Sequence, residues 1–97
     1  MKEVHCVVWA DGLIEIMDEE PKGGISIAEA DRATMESAIA ATARLAYDGE
    51  NWIVPEVRSA WLSGEDKVKA LIAYQNRLAK AIERIQKEAI HGGGTPE

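Results

Sequence analysis

Apolar and polar residues alternate near the start of the chain and follow a helical spacing near its end. Residues 4–10 and 13–17 are two runs rich in β-branched and other apolar side chains, and Asp11-Gly12 separates them. An Asp-Gly pair between such runs predicts a β-hairpin with a two-residue type I′ turn, which would set Val8 opposite Glu15. The core face of this hairpin would then hold four apolar residues, Val7, Trp9, Ile14 and Ile16.

The middle of the chain predicts a third strand, a helix and a fourth strand. Residues 25–27 alternate and indicate a short strand, after which Asp31 is expected to cap a helix that runs to about Tyr47. The inward positions of that helix have helical spacing: Met35, Ala38, Ile39, Thr42, Leu45 and Ala46. Residues 52–54 predict a short strand that ends at Pro55, and residues 56–62 predict a helical turn.

The last third of the chain predicts one long helix. Ser63 is its expected N-cap, and residues 65–91 would extend over about 40 Å. A heptad-like seam runs along this helix and extends backwards to Trp61; it consists of Val68, Leu71, Gln75, Leu78, Ile82, Ile85 and Ala89. Either the seam packs on the sheet of its own subunit, or it pairs with a second copy in a homodimer.

Together these elements predict an α+β fold. It comprises a small antiparallel sheet, made of the N-terminal hairpin plus one or two short strands, with a packed helix and the long C-terminal helix. Residues 1–91 are expected to form a single domain. The remaining residues, 92–97, are rich in glycine and predict a disordered tail.

The composition limits the disulfides, membrane segments and catalytic or metal sites that the chain can form. The single cysteine, Cys6, cannot form an internal disulfide, and no apolar run approaches the length of a membrane span or a signal peptide. These features predict a cytoplasmic protein that does not contact membranes. His5 and Cys6 would point to opposite faces of a strand, and His91 stands alone, so we expect no catalytic site, no metal site and no cofactor.

Charge is distributed unevenly along the chain. Residues 1–66 carry 14 acids and 5 bases, whereas residues 67–97 carry 3 acids and 6 bases. An acidic body argues against direct nucleic-acid binding and favours a protein partner with a basic surface. The candidate partner-binding residues are the densest acidic cluster and two nearby acids: Asp18, Glu19, Glu20, Asp48 and Glu50.

Two segments resemble small accessory proteins of phages and prophages from Gram-negative bacteria. They are VWADGLIEI at residues 8–16 and AIAATARLAYDGENWIVPEV at residues 38–57. The resemblance implies a small protein that binds and blocks a host component, as anti-CRISPR inhibitors do. We therefore expect a non-enzymatic protein-binding module, with a structural homodimer assembled through the long helix as the alternative.

Overall fold

A five-stranded antiparallel sheet and three helices make up the computed structural model, which describes residues 2–42, 46–47 and 52–89, with the side chains of 46 and 47 excepted. The elements in chain order are β1 (Glu3–Val8), β2 (Leu13–Met17), β3 (Ile25–Asp31), α1 (Arg32–Ala41), β4 (Ala46–Tyr47), β5 (Trp52–Ile53), α2 (Pro55–Ser63) and α3 (Lys67–Glu88). The strand order across the sheet is β3-β1-β2-β5-β4. The predicted α+β class is confirmed.

The hairpin between β1 and β2 forms, but the predicted register is wrong by one residue. Val8 pairs with Ile14, not with Glu15. The loop contains three residues, because the Trp9 amide donates to the Leu13 carbonyl at 2.9 Å and the Gly12 amide donates to the Trp9 carbonyl at 2.8 Å. Gly12 has φ +86°, as expected for the last residue of a three-residue hairpin loop.

This one-residue difference reverses the two faces of β1. The core contains Val4, Cys6 and Val8 from β1, together with Ile14 and the partly buried Ile16 from β2. Val7 and Trp9 lie on the opposite face and not in the main core, because side chains alternate along a strand. We call the core side of the sheet the inner face and the other side the outer face.

All three helices share the core with the inner face. The helical residues in the main core cluster are Met35, Ala38 and Ile39 from α1, Val57 from α2, and Tyr74, Leu78, Ala81 and Ile82 from α3. A hydrogen-bonded ion pair joins two of these helices at their flank, with Arg77 Nη2 of α3 at 3.0 Å from Glu56 Oε1 of α2. The helices therefore form one layer on the inner face.

Strand β3 is longer than predicted, and α1 is shorter. The predicted cap is confirmed: Asp31 Oδ2 accepts from the Thr34 amide at 3.1 Å, and the Thr34 hydroxyl donates to Asp31 Oδ1 at 2.7 Å. The helix ends at Ala41 and not near Tyr47, because Thr42 adopts an extended conformation and its amide donates to the carbonyls of Ala38 and Ile39. Ala46 and Tyr47 belong to β4, and Leu45 lies outside the described residues.

Ser63 ends a helix and does not begin one. The predicted helical turn is the nine-residue helix α2, in which Pro55 occupies the first turn and Gly64, at φ +83°, is the C-cap. The Ser63 hydroxyl donates to the Ala60 carbonyl at 2.8 Å. The N-cap of α3 is Asp66 instead.

The long helix α3 packs on its own subunit through part of the predicted seam. It contains 22 residues, and His91 and residues 92–97 lie outside the described part of the chain. Leu78 and Ile82 are buried in the core, while Leu71 and Ile85 pack against it partly buried. At the other seam positions, Val68 is 59% exposed, and the Gln75 side chain donates from Nε2 to the Ile27 carbonyl of β3 at 3.1 Å.

Candidate interaction surface

The two residues considered for nucleophilic chemistry lie on opposite faces of β1, as predicted. Cys6 is fully buried on the inner face, and burial raises the pKa of its thiol to about 12. On the outer face, His5 Nδ1 is 2.7 Å from the Ser26 hydroxyl. Among the described residues, no group of three or more His, Cys, Asp and Glu side chains is placed to hold a metal ion.

The outer face is defined by the strand registers. Glu3 pairs with Asp31, His5 lies between Met17 and Glu29, and Val7 lies between Glu15 and Ser26. Trp9 and Leu13 complete this face at the hairpin end. None of the three longer strands contains a lysine or an arginine, so the outer face combines carboxylates with apolar side chains.

Trp9 is held on this face by a polar contact. Its indole Nε1 donates to Glu15 Oε1 at 2.8 Å, and the side chain is only partly buried. Beside it, Trp9, Leu13 and Glu15 are among the residues that line an open hollow of about 560 Å³. Such a hollow, with an indole wall and a carboxylate at its rim, suits a basic side chain with an apolar stem.

The loop between β2 and β3 covers part of the outer face. Val7 is fully buried there, although it does not belong to the main core cluster. A Cβ atom on Gly24 would lie 2.5 Å from Val7 Cγ1 and 3.5 Å from the Trp9 ring. This close approach holds the end of the loop at Gly24 against the sheet.

The predicted acidic cluster lies on this loop. Asp18, Glu19 and Glu20 are all exposed. Asp18 is shared between two cations, with Arg32 Nη2 at 3.5 Å and Lys2 Nζ at 3.9 Å. Glu19 and Glu20 are therefore the better candidates for a partner, and Asp48 and Glu50 lie outside the described residues.

Opposite charges occupy opposite layers of the molecule. Residues 2–31, which form the three longer strands and their loops, carry eight acids and two bases, whereas α3 carries six bases and two acids. The helices lie on the inner face, so the basic helix is on the far side of the sheet from the outer face. The chain is acidic on one side and basic on the other.

The acidic loop could be predicted from the sequence, but the shared face of the sheet carboxylates could not. Glu3, Glu15 and Glu29 share one face with Trp9 only when the three-residue hairpin loop is known. The absence of lysine and arginine from the three longer strands could have predicted an acidic sheet. With the predicted register, however, Trp9 belonged to the core and Glu15 faced away from it.

Comparisons of the chain with protein-family models, with curated proteins and with solved structures find no match. In the part of the chain that the structure describes, none of the helices is sufficiently long and apolar to span a bilayer.

Proposed function

We propose that this chain is a protein-binding module whose partner presents a basic surface. The observation that carries the proposal is the outer face, where Glu3, Glu15 and Glu29 surround partly exposed apolar side chains and none of the three longer strands contributes a lysine or an arginine. Glu19 and Glu20 extend the same negative surface into the neighbouring loop. Interfaces of this kind combine an aromatic anchor with a charged rim, and here Trp9 would be the anchor.

The charge separation supports the same function through association kinetics. A surface of one sign orients an approaching partner of the opposite sign and raises the association rate, an effect that salt screens. The side of α3 that carries the lysines and arginines would repel the same partner and so favour approach from the side of the sheet.

A module bound in this way would act as an inhibitor by occlusion. A basic protein surface commonly binds phosphates or other anions, and an acidic module seated on it competes for the same charges. The resemblance of residues 8–16 and 38–57 to phage accessory proteins adds the expectation that the occluded partner is a host protein.

The test is a tagged pull-down from a bacterial lysate, followed by affinity measurement with the captured partner. We expect a stoichiometric partner whose affinity falls as salt rises. The double variant Glu19→Gln/Glu20→Gln should weaken it by about two- to tenfold, mainly through a slower association rate, as expected when two rim charges are lost. The matched control, Glu65→Gln/Glu88→Gln, removes the same charge from exposed sites elsewhere and should leave the affinity unchanged. Equal losses in both variants would leave only a general charge effect and contradict the proposed surface.

A structural homodimer is the second candidate function. The exposed apolar side chains Val68 and Ile72 favour it, since they lie one turn apart on α3 and are 59% and 49% exposed. Leu78 and Ile82 are occupied by the core of their own chain, so a dimer would have to use the N-terminal part of α3. We expect the double variant Val68→Ser/Ile72→Ser to be monomeric in light scattering at concentrations where the parent is a dimer. A parent that is already monomeric would eliminate this candidate.

A further inference from the structure

Strand β3 is one of the two edge strands of the sheet, and its free side opens onto a groove. The sheet order places β3 outside β1, and in the described part of the chain no other strand pairs with it. Its seven residues would span about 23 Å. An edge of this length presents unpaired backbone amides and carbonyls, which are a template for an added strand.

The groove runs between this edge and the flank of α3. Its volume is about 530 Å³, and its apolar lining includes Ile27 and Ala28 of β3 with Ala79 and Ile82 of α3. The polar part of the lining contains Glu29, Glu83 and several amide residues, and among the described residues no lysine or arginine lines it. The groove is therefore apolar at its floor and negative at its rim.

One contact shows that the edge already accepts a hydrogen bond from the groove side. Ile27 has no partner residue on β1, because the register shifts between Cys6 and Val7. Its carbonyl instead accepts from Gln75 Nε2 at 3.1 Å. The bulge thus leaves this carbonyl outside the β1 ladder, and a side-chain amide of α3 satisfies it from the groove.

We propose that β3 binds an extended segment of the partner by strand addition. In this partner segment, apolar residues alternate with basic ones. The proposal rests on the proposed function and specifies how the partner docks. Side chains of an added strand would point alternately to the two faces of the sheet. Those on the inner side would enter the groove beside Ala79 and Ile82, and those on the outer side would lie next to the Glu29 carboxylate of β3.

A basic segment suits this edge better than a second copy of the chain. Pairing two β3 edges would bring the Glu29 and Glu83 carboxylates of both copies to one seam. Like charges close together across strands are destabilising, whereas opposite charges contribute favourably. The acidic edge therefore disfavours self-association and favours lysine or arginine.

The test uses synthetic peptides with the full chain. The probe is a peptide of about ten residues, a typical upper length for a strand, in which valine and lysine alternate. A peptide alternating valine and glutamate tests the charge. A third peptide has the valine–lysine sequence with alternate backbone amides methylated, so that it keeps the charge but cannot form a full ladder. We expect binding of the first peptide only, with chemical-shift changes at the amides of β3 in NMR spectra.

Two alanines on α3 provide a matched pair of variants. Ala79 lines the groove and Ala73 does not, and both are exposed. Ala79→Arg should block the groove and weaken the binding of the valine–lysine peptide by about tenfold or more. A tenfold loss of affinity corresponds to about 1.4 kcal/mol. Ala73→Arg introduces the same charge and should have no effect. Equal losses in the two variants, or equal binding of the methylated peptide, would overturn strand addition.

The same measurements separate this proposal from the proposed function. If a captured partner binds in a salt-sensitive way, and its affinity falls in the Glu19→Gln/Glu20→Gln variant but not in Ala79→Arg, strand addition is wrong and the protein-binding function stands. If the peptide binds β3 as expected but the lysate contains no basic partner, the edge site stands and the proposed function fails.

Discussion

At the scale of single residues, Gly12 decides how the hairpin faces the rest of the molecule. Its φ of +86° belongs to the left-handed region, and the Val54 amide donates to its carbonyl at 3.0 Å. A Cβ at this position would lie 2.8 Å from Arg58 Cβ and 3.0 Å from the Arg58 amide nitrogen. Gly12 therefore sets the loop conformation and also allows the hairpin to contact α2.

Gly64 offers a matched comparison, because it has φ +83° and a Cβ added there would have no neighbouring atom within 4 Å. We expect Gly64→Ala to cost about 1 kcal/mol, from backbone strain alone. Gly12→Ala should cost about 3 kcal/mol, since it adds a backbone clash to the same strain. Urea denaturation of both variants measures the two free energies of unfolding. Equal costs would mean that α2 does not approach the hairpin as closely as described.

The Asp11-Gly12 pair also shows why the register could not be predicted. Glycine satisfies the positive φ of a two-residue type I′ turn and also that of the last position in a three-residue loop. Choosing between them requires knowledge of which face of β1 meets the helices, and both faces carry apolar residues. Val7 is as buried as Val8, since the β2–β3 loop covers it.

At the scale of elements, a local signal predicted the start of α1 but not its end, and the Ser63 signal did not predict the start of α3. The Asp31 cap depends on the residue itself and on Thr34 within the first turn, and it forms as expected. The alanine-rich stretch after Ile39 continues to favour helix, so the end of α1 at Ala41 has no local signal. Residues 46–47 pair with β5, and that pairing is a tertiary interaction that outweighs helix propensity.

The long helix illustrates the same limit. The 3–4 spacing correctly identified Leu78 and Ile82 as packing residues, but a helix that packs on a sheet uses a wider stripe than a coiled-coil seam. Tyr74 and Ala81 join the buried face, whereas Val68 at the seam's start remains exposed. The spacing alone could not show on which side the stripe widens.

Two seam variants test that α3 packs within its own chain. Leu78→Ala removes a fully buried side chain and should cost about 2–5 kcal/mol. Val68→Ala, at an exposed seam position, should change the free energy of unfolding by less than about 0.5 kcal/mol. Thermal or urea denaturation at two protein concentrations makes the comparison. If Val68→Ala costs as much as Leu78→Ala, and the cost depends on concentration, the seam is an interface between two copies.

At the scale of the whole molecule, burial of two weak acids in one core links stability to alkaline pH. Burial raises the pKa of Cys6 from 9.0 to about 12. Burial likewise raises the pKa of the Tyr74 phenol from 10.0 to about 12. The contact with Thr42, whose hydroxyl oxygen lies 3.4 Å from the phenol oxygen, opposes this rise in pKa. Both side chains lie in the single cluster where the sheet meets the helices.

The stability that the protonated Cys6 and Tyr74 side chains contribute should therefore be retained below pH 9 and lost between pH 9 and 12. Above pH 9 the unfolded chain releases the Cys6 proton and above pH 10 the Tyr74 proton, while the folded chain keeps both up to about pH 12. The unfolded state then binds fewer protons, so the free energy of unfolding falls by about 1.4 kcal/mol per pH step for each group that titrates only when unfolded. Urea midpoints measured from pH 8 to 11 should decline from pH 9 and more steeply above pH 10.

Two variants separate the contributions. Cys6→Ala should remove the first part of the decline and Tyr74→Phe the second, whatever loss of stability each variant shows at pH 8. A parent protein whose stability stays level to pH 11 would show that neither group is protected by the core, and the packing of the helices on the sheet would need to be looser than described.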